Sequence, residues 1–215
     1  MPYSVILIKL LPREFEDDFL DGNLYLNTNV YFGAMDRTDA VRFDPHEGID
    51  ESLHVSKVEV QSNEGTWLTI PIAGPISTRS RTSNGLNVLC MFTVTNKPGD
   101  FFDDRNMAFG DRAVVVDNLI EFIARIKKAA VAVGRPVSHR PIEYVDRDLH
   151  SGPMGPFRKF STHGYQNEFR FVLASGNGEP YRLQIGCIRD IAHSIPAAQV
   201  PAFWEAMRQV PQADT

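Results

Sequence analysis

The sequence contains little cysteine and only a modest excess of charge of one sign. Its two cysteines, Cys90 and Cys187, lie far apart and form no CxxC pair, which argues for a reducing compartment and against a thiolate metal site. There are 22 Lys and Arg residues against 27 Asp and Glu residues, so the formal net charge of -5 provides no global basic field for nucleic acid. A local basic groove remains compatible with this balance.

The sequence also lacks a long apolar run near its start. Residues 5–8 are apolar, but Lys9 interrupts them before they reach the length of a signal-peptide core or a membrane span. We therefore predict a cytoplasmic protein that does not enter a membrane. With 43% hydrophobic and 23% charged residues, the 215-residue chain has the composition of an ordinary globular protein.

Apolar spacing predicts an α+β fold in a single domain over residues 1–215, with a mixed or antiparallel sheet as its core. Asn118 and Glu121 form a capping box ahead of one long helix, which ends before Gly134. Two short helices are expected, at 12–22 and 200–210. Segments rich in Gly, Pro and polar residues predict mobile loops near 73–86, 96–112 and 147–157.

Strict alternation over residues 24–32 predicts a strand with one apolar face and one polar, partly aromatic face. The polar face carries Tyr25, Asn27, Asn29 and Tyr31. Asn and Tyr are less usual than Lys or Glu on a solvated surface, so this face is a candidate cleft wall. An exposed sheet face is the alternative.

Residues 42–47 concentrate charge in a turn directly after that strand. The turn contains Arg42, Asp44, His46 and Glu47. Carboxylates beside an imidazole suit a divalent cation or proton transfer. The alternative is a structural turn whose side chains cap backbone amides.

The second concentration of polar groups lies late in the chain. Alternation places Gln166, Glu168 and Arg170 on one face of a predicted strand, with Phe169 and Phe171 on the other. A strand is a rigid mount for a preorganised site. A surface ladder of Glu168 and Arg170 with neighbouring strands is the alternative.

In order along the chain, several short motifs resemble a bacterial family of unknown function associated with abortive infection and phage defence. The matching segments are FDPHE at 43–47, LCMF at 89–92, IEYV at 142–145, Lys159, and QNEFR at 166–170. The likeness extends over nearly the whole chain. It implies a bacterial effector.

The pair Gln166-x-Glu168 is also similar to the late motif of ADP-ribosyltransferases, and the resemblance implies their fold and NAD as cofactor. In those enzymes the second residue holds the nicotinamide ribose and stabilises its oxocarbenium-like transition state, which assigns catalysis to Glu168. The residue before it orients the acceptor, which assigns that role to Gln166. Lys9 stands in the first strand where those enzymes carry Arg or His.

The remaining cofactor-binding candidates follow from the chemistry of NAD. Tyr25 or Tyr31 would stack on nicotinamide, Arg42 would hold the pyrophosphate, and Arg170 belongs to the same set. A macromolecular acceptor is the implied partner, and no metal is expected in this interpretation.

Three functions therefore compete. The leading hypothesis is an NAD-dependent transferase or glycohydrolase that acts in defence or as a toxin. The second is a metal-dependent hydrolase or nuclease that uses Asp44, His46, Glu47 and Glu168, because carboxylates suit Mg²⁺ or Mn²⁺. The third is a binding module without catalysis, in which arginine–carboxylate pairs hold the fold together.

Overall fold

A computed structural model describes residues 5–28, 31, 43–80, 85–97 and 100–209 of the chain. The strands, in chain order, are β1 (Val5–Leu11), β2 (Asn23–Thr28), β3 (Glu51–Leu53), β4 (Lys57–Gln61), β5 (Trp67–Pro71), β6 (Ile76–Thr78), β7 (Asn87–Thr95), β8 (Arg112–Val116), β9 (Val137–Pro141), β10 (Glu143–Val145), β11 (Gly152–Pro153), β12 (Arg158–Phe160), β13 (Glu168–Leu173), β14 (Tyr181–Gln184) and β15 (Ala192–Pro196). The helices are α1 (Glu16–Leu20), α2 (Leu119–Ala132) and α3 (Val200–Gln209). Short 3₁₀ helices cover Arg13–Phe15, Asp104–Phe109, Gly155–Phe157, Ser161–Gln166 and Ala197–Gln199.

Among the described residues, the main sheet has eight strands, and all of its pairings are antiparallel. Its principal order is β14-β2-β7-β1-β8-β15, while β13 pairs with β7 and β9 pairs with β13. The α+β class with a large antiparallel sheet and few helices, which the sequence predicts, is thereby confirmed.

The long helix α2 covers one face of this sheet. Asn118 caps it, because the side-chain Oδ1 accepts a hydrogen bond from the Glu121 amide at 3.0 Å. Its buried residues Phe122 and Ile126 pack in one cluster with Met91 and Phe171 of the central strands. On the opposite face, α3 packs the buried Trp204 onto a second apolar cluster.

The central strand β7 has a gap along one edge. Residues Phe92–Thr95 pair with β1 and residues Asn87–Val88 pair with β2, but neither strand pairs with residues 89–91. Lys9 reaches into this gap, where its Nζ donates to the Cys90 carbonyl at 2.9 Å. A buried carbonyl without a ladder partner would cost free energy, so the lysine stabilises the opening.

In the part of the chain that the structure describes, three smaller sheets lie outside the main one. β10 and β12 form a parallel pair, β11, β3 and β6 form a three-stranded sheet, and β4 and β5 form a hairpin. In the loop of this hairpin, Gly65 has a φ of 81°, a backbone conformation that favours glycine. The segments predicted as loops contain β6, the 3₁₀ helix Asp104–Phe109 and β11.

Two strands differ from the sequence-based prediction. The strand predicted over 24–32 is β2, which begins at Asn23 and ends at Thr28; Asn29 lies outside the described residues. The late strand begins at Glu168 rather than at Gln166, because Asn167 has left-handed backbone angles (φ 39°, ψ 54°) that interrupt extended structure.

Candidate functional site

A cavity of about 570 Å³ opens where β1 and β2 diverge from β7. Its volume lies within the range of about 300–1,000 Å³ that is typical of small-molecule sites. The cavity is lined by residues of β1 and β2, by Val88 to Phe92 of β7, and by Lys159, Gln166, Glu168 and Arg170. The gap in the main sheet thus creates the space, and the late polar motif forms part of its wall.

Glu168 and Arg170 lie on the same face of β13, opposite Phe169 and Phe171, as the period-two pattern predicts. The Arg170 guanidinium binds the Glu47 carboxylate with two hydrogen bonds of 2.7 Å each. Its Nε donates to Glu168 Oε2 at 2.8 Å, and Nη1 also donates to the Pro156 carbonyl at 2.9 Å. Arg170 therefore joins the early turn to the late strand.

Lys159 occupies the centre of the same group of charges. Its Nζ lies 2.7 Å from Gln166 Oε1, 2.7 Å from Glu168 Oε1 and 3.3 Å from Glu47 Oε2. Asp44 Oδ2 is farther away, at 3.8 Å. We call Asp44, Glu47, Lys159, Glu168 and Arg170 the ion cluster.

Neighbouring charges determine the ionisation of this cluster. Burial alone would raise the pKa of Glu168, but Arg170 and Lys159 outweigh burial and hold that pKa well below its ordinary value. The same balance lowers the pKa of Glu47. Burial would lower the pKa of Lys159, yet Glu168 and Glu47 raise it. All three groups are therefore charged at neutral pH.

The two groups beside the cluster are neutral at that pH. Burial raises the pKa of the Cys90 thiol to about 12, and the negative charge of Glu168 adds to the effect. Burial lowers the pKa of His163, although Asp44, whose Oδ1 lies 3.6 Å from His163 Nε2, acts in the opposite direction. Cys90 is thus a thiol and His163 an imidazole.

The backbone around Glu168 is held by a second contact. The parallel pairing of β10 with β12 places Tyr144 alongside Lys159. The Tyr144 hydroxyl oxygen accepts a hydrogen bond from the Glu168 amide at 2.9 Å. The start of β13 is therefore fixed by both its main chain and its side chain.

Several predicted site residues meet in this region. Gln166 and Glu168 lie side by side because both bind Lys159, even though Gln166 precedes the strand. Tyr25 and Tyr31 line the cavity, and the two residues are 47% and 48% exposed. Arg42 lies outside the described residues.

The early turn contributes to the cluster as a support. Glu47 is 3% exposed and binds Arg170, whereas Asp44 accepts a hydrogen bond from the His46 amide at 2.9 Å, as in a capped turn. The His46 ring lies edge-on to Phe160, with ring centroids 5.1 Å apart. Within the described ranges no group of three or more His, Cys, Asp or Glu side chains is arranged to hold a metal ion. The Lys159 ammonium already occupies the space between these oxygens.

Two features of the site were not predicted from the sequence. Lys159 is only 7% exposed, although a lysine is usually solvated. Its flanking residues Phe157 and Phe160 are buried and are a signal that this segment packs inward. The second feature is Asn106, which lines the cavity although no motif in the sequence points to it.

Two buried asparagines, Asn27 and Asn106, line the cavity. Asn27 Oδ1 accepts a hydrogen bond from the Thr28 amide at 2.9 Å. Asn106 Nδ2 donates to the carbonyls of Asp103 and Tyr165 at 3.1 and 2.8 Å. Both residues are buried, with exposures of 9% and 1%.

In the described part of the chain, no helix is long and apolar enough to cross a membrane. Comparison with protein-family models, with curated proteins and with solved structures finds no match to the chain. The resemblances of the sequence motifs therefore stay hypotheses, and the geometry of the cavity carries the functional argument.

Proposed function

We propose that the cavity binds NAD and that the chain cleaves the bond between nicotinamide and ribose, as an ADP-ribosyltransferase or an NAD glycohydrolase. The observation that carries this proposal is the buried carboxylate of Glu168, which stays ionised on the cavity wall with Gln166 beside it. A fixed negative charge on the wall of a cavity favours a sugar that develops positive charge.

The reaction requires positioning and charge from the protein. When the glycosidic bond breaks, its electron pair passes to the ring nitrogen, and nicotinamide leaves as a neutral molecule. Positive charge moves onto the ribose, where Glu168 stabilises it more strongly than in the ground state. Water or an acceptor then bonds to the sugar carbon and releases its proton to solvent.

The ion cluster supports this role because its charges do not cancel. Asp44, Glu47 and Glu168 are three carboxylates, while Lys159 and Arg170 are two cations, so one negative charge remains. The two cations also bind Glu168 from different sides and fix its orientation. A catalytic group needs this kind of rigid support.

The shape of the cavity suits an elongated ligand. Asn27 lies opposite Val88, whereas Glu168 lies opposite Phe92, four residues along β7. At roughly 3.3 Å per residue, these two positions are about 13 Å apart along the strand. A dinucleotide is long enough to place one of its ends near Asn27 and the other near Glu168.

Aromatic and basic side chains at the cavity wall fit the other parts of NAD. The exposed ring of Tyr25 offers a stacking surface for a base or for nicotinamide. The Arg182 guanidinium lies 5.7 Å from the centroid of that ring and also lines the cavity. We assign Arg182 to the pyrophosphate, together with Lys9.

The decisive experiment incubates the purified chain with NAD and measures nicotinamide release by chromatography. Glu168→Gln removes the charge at nearly constant volume, and we expect it to lower the rate by about 10²-fold or more. Glu143→Gln is the matched control, because Glu143 also binds an arginine but its side chain is 59% exposed. Wild-type protein that neither binds nor consumes NAD would contradict the proposal, as would unchanged turnover by Glu168→Gln.

The context of the activity is a further part of the proposal. The likeness of residues 43–47 and 166–170 to the abortive-infection family suggests an effector in bacterial defence or a toxin system. Expression of wild-type protein in a bacterial host should arrest growth and deplete NAD, whereas Glu168→Gln should do neither. If both proteins arrest growth, the toxicity does not depend on Glu168 and does not come from the proposed reaction.

One observation favours a second candidate, a binding module without catalysis. Both carboxylate oxygens of Glu168 already bind cations of the protein, Lys159 at 2.7 Å and Arg170 at 2.8 Å. If the cluster only holds β13 to the early turn, Glu168→Gln will lower the melting temperature while NAD has no effect on either protein. Stabilisation of the wild-type chain by NAD distinguishes the two candidates.

A further inference from the structure

The orientation of the Asn106 side chain follows from its partners. Its nitrogen donates to two main-chain carbonyls, those of Asp103 and Tyr165, at 3.1 and 2.8 Å. A carbonyl oxygen only accepts hydrogen bonds, so the group that meets both carbonyls must be the NH₂ end. The Oδ1 atom therefore points away from them.

That oxygen has an unused capacity to accept a hydrogen bond. Within residues 5–28, 31, 43–80, 85–97 and 100–209, no donor reaches Asn106 Oδ1, and protein atoms do not fully enclose it. Asn106 itself lines the cavity. The residue as a whole is 1% exposed. Because Asn106 lines the cavity, a bound ligand that carries an N–H group can supply the partner of this acceptor.

Asn106 is also close to the proposed reacting end of the cavity. Its partner Tyr165 directly precedes Gln166, whose Oε1 lies 2.7 Å from the lysine that binds Glu168. Nicotinamide leaves at this end, and its carboxamide carries N–H donors. A carboxylate in the same place would carry only acceptors and would face both Oδ1 and the net negative ion cluster.

We infer that Asn106 recognises the nicotinamide carboxamide by accepting a hydrogen bond from its N–H group through Oδ1. The inference rests on the proposed function, and it makes Asn106 a specificity-determining residue. The cavity should then prefer NAD to nicotinic acid adenine dinucleotide, which carries a carboxylate in place of the carboxamide. Sites built to hydrogen-bond a ligand group discriminate strongly against analogues that lack it.

The test is calorimetric titration of the full chain with each of the two dinucleotides. We expect wild-type protein to bind NAD at least about 10-fold more tightly than the acid analogue. In Asn106→Ala, affinity for NAD should fall while affinity for the analogue stays nearly the same, so the ratio moves towards one. If Asn106→Ala keeps the wild-type ratio of the affinities for NAD and for the acid analogue, the negative ion cluster alone excludes the carboxylate. That result would overturn the inference.

Asn23→Ala is the matched control. Asn23 lines the same cavity, but its Nδ2 donates to Asp18 and its Oδ1 accepts from Gln184, both at 2.9 Å, so both ends of its carboxamide are occupied. This variant should keep the wild-type ratio. An equal change in Asn23→Ala and Asn106→Ala would indicate a general effect of cavity packing and would contradict a specific role.

Loss of the two Asn106 contacts also affects the 3₁₀ helix Asp104–Phe109, so the melting temperature of each variant is measured first. If the alanine protein does not fold, Asn106→Ser provides a second variant, because the shorter serine side chain also lacks the carboxamide oxygen. If neither folds, the wild-type ratio decides: equal affinities overturn the inference. Wild-type protein that binds neither dinucleotide refutes the proposed function itself, whereas binding without discrimination refutes only the role of Asn106.

Discussion

Glu47→Gln tests whether the buried ion pair holds the early turn to the late strand. Arg170 and Glu47 form a bidentate pair at 2.7 Å, with side chains only 1% and 2% exposed. The substitution leaves a buried guanidinium with half of its counter-charge removed, and loss of one partner of a buried pair costs about 3–5 kcal/mol. With a urea m-value of about 2–3 kcal/mol/M, the unfolding midpoint should fall by about 1–2.5 M.

The chain contains a control pair with the same chemistry. Arg158 and Glu143 are also 2.7 Å apart, but their side chains are 30% and 59% exposed. Glu143→Gln should cost no more than about 1 kcal/mol, because solvent screens exposed pairs. Urea unfolding followed by circular dichroism compares the two variants directly. Equal losses in Glu47→Gln and Glu143→Gln would refute the reasoning that burial determines the strength of the pair.

Three further predictions concern stability. In the folded chain the pKa of Glu168 lies below its ordinary value of 4.5, so its contribution to the free energy of unfolding is present above about pH 4.5 and is lost as the pH falls. The pKa of Lys159 is raised above its ordinary value of 10.5, so its contribution is present below that pH and is lost as the pH rises further. Thermal melting across pH should therefore show a plateau between these values, and a maximum below pH 4 would contradict the assignment. Tyr144→Phe should cost about 1–3 kcal/mol in chemical denaturation, because the Glu168 amide loses its acceptor; an unchanged midpoint would show that water replaces the hydroxyl. Gly22→Ala should cost more than about 2 kcal/mol, since Gly22 has φ 85° and an added Cβ would lie 1.9 Å from the Gly186 carbonyl oxygen; soluble protein with wild-type melting would refute that contact.

Much of the secondary structure could be predicted because it depends on neighbouring residues. Asn118 and Glu121 predict the start of helix α2, because a helix cap involves residues only three positions apart. Alternation along β13 separates Arg170 from Phe169 and Phe171, since side chains of a strand point to opposite faces. The same alternation did not place Gln166, because one left-handed residue, Asn167, lies between it and the strand.

The candidate site depended on contacts between distant parts of the chain. Glu47 and Arg170 are 123 positions apart, and their pairing follows from how the early turn packs on the sheet. Lys159 looks like a surface residue in sequence, but its buried position comes from the parallel pairing of β12 with β10. The contact between Glu47 and Arg170 has no local signature, whereas the buried Phe157 and Phe160 are a local sign that the Lys159 segment packs inward.

The sequence by itself therefore determined the α+β class, the capped helix and the polar face that Glu168 shares with Arg170, because these follow from short-range periodicity. The opening of the sheet beside β7, the central place of Lys159 and the open oxygen of Asn106 were decided only by the tertiary structure. The physical reason is that a buried charge or carboxamide takes its environment from segments that meet only after the sheet has formed. Its partners, and not its own residue type, determine whether it is charged, paired or open to a ligand.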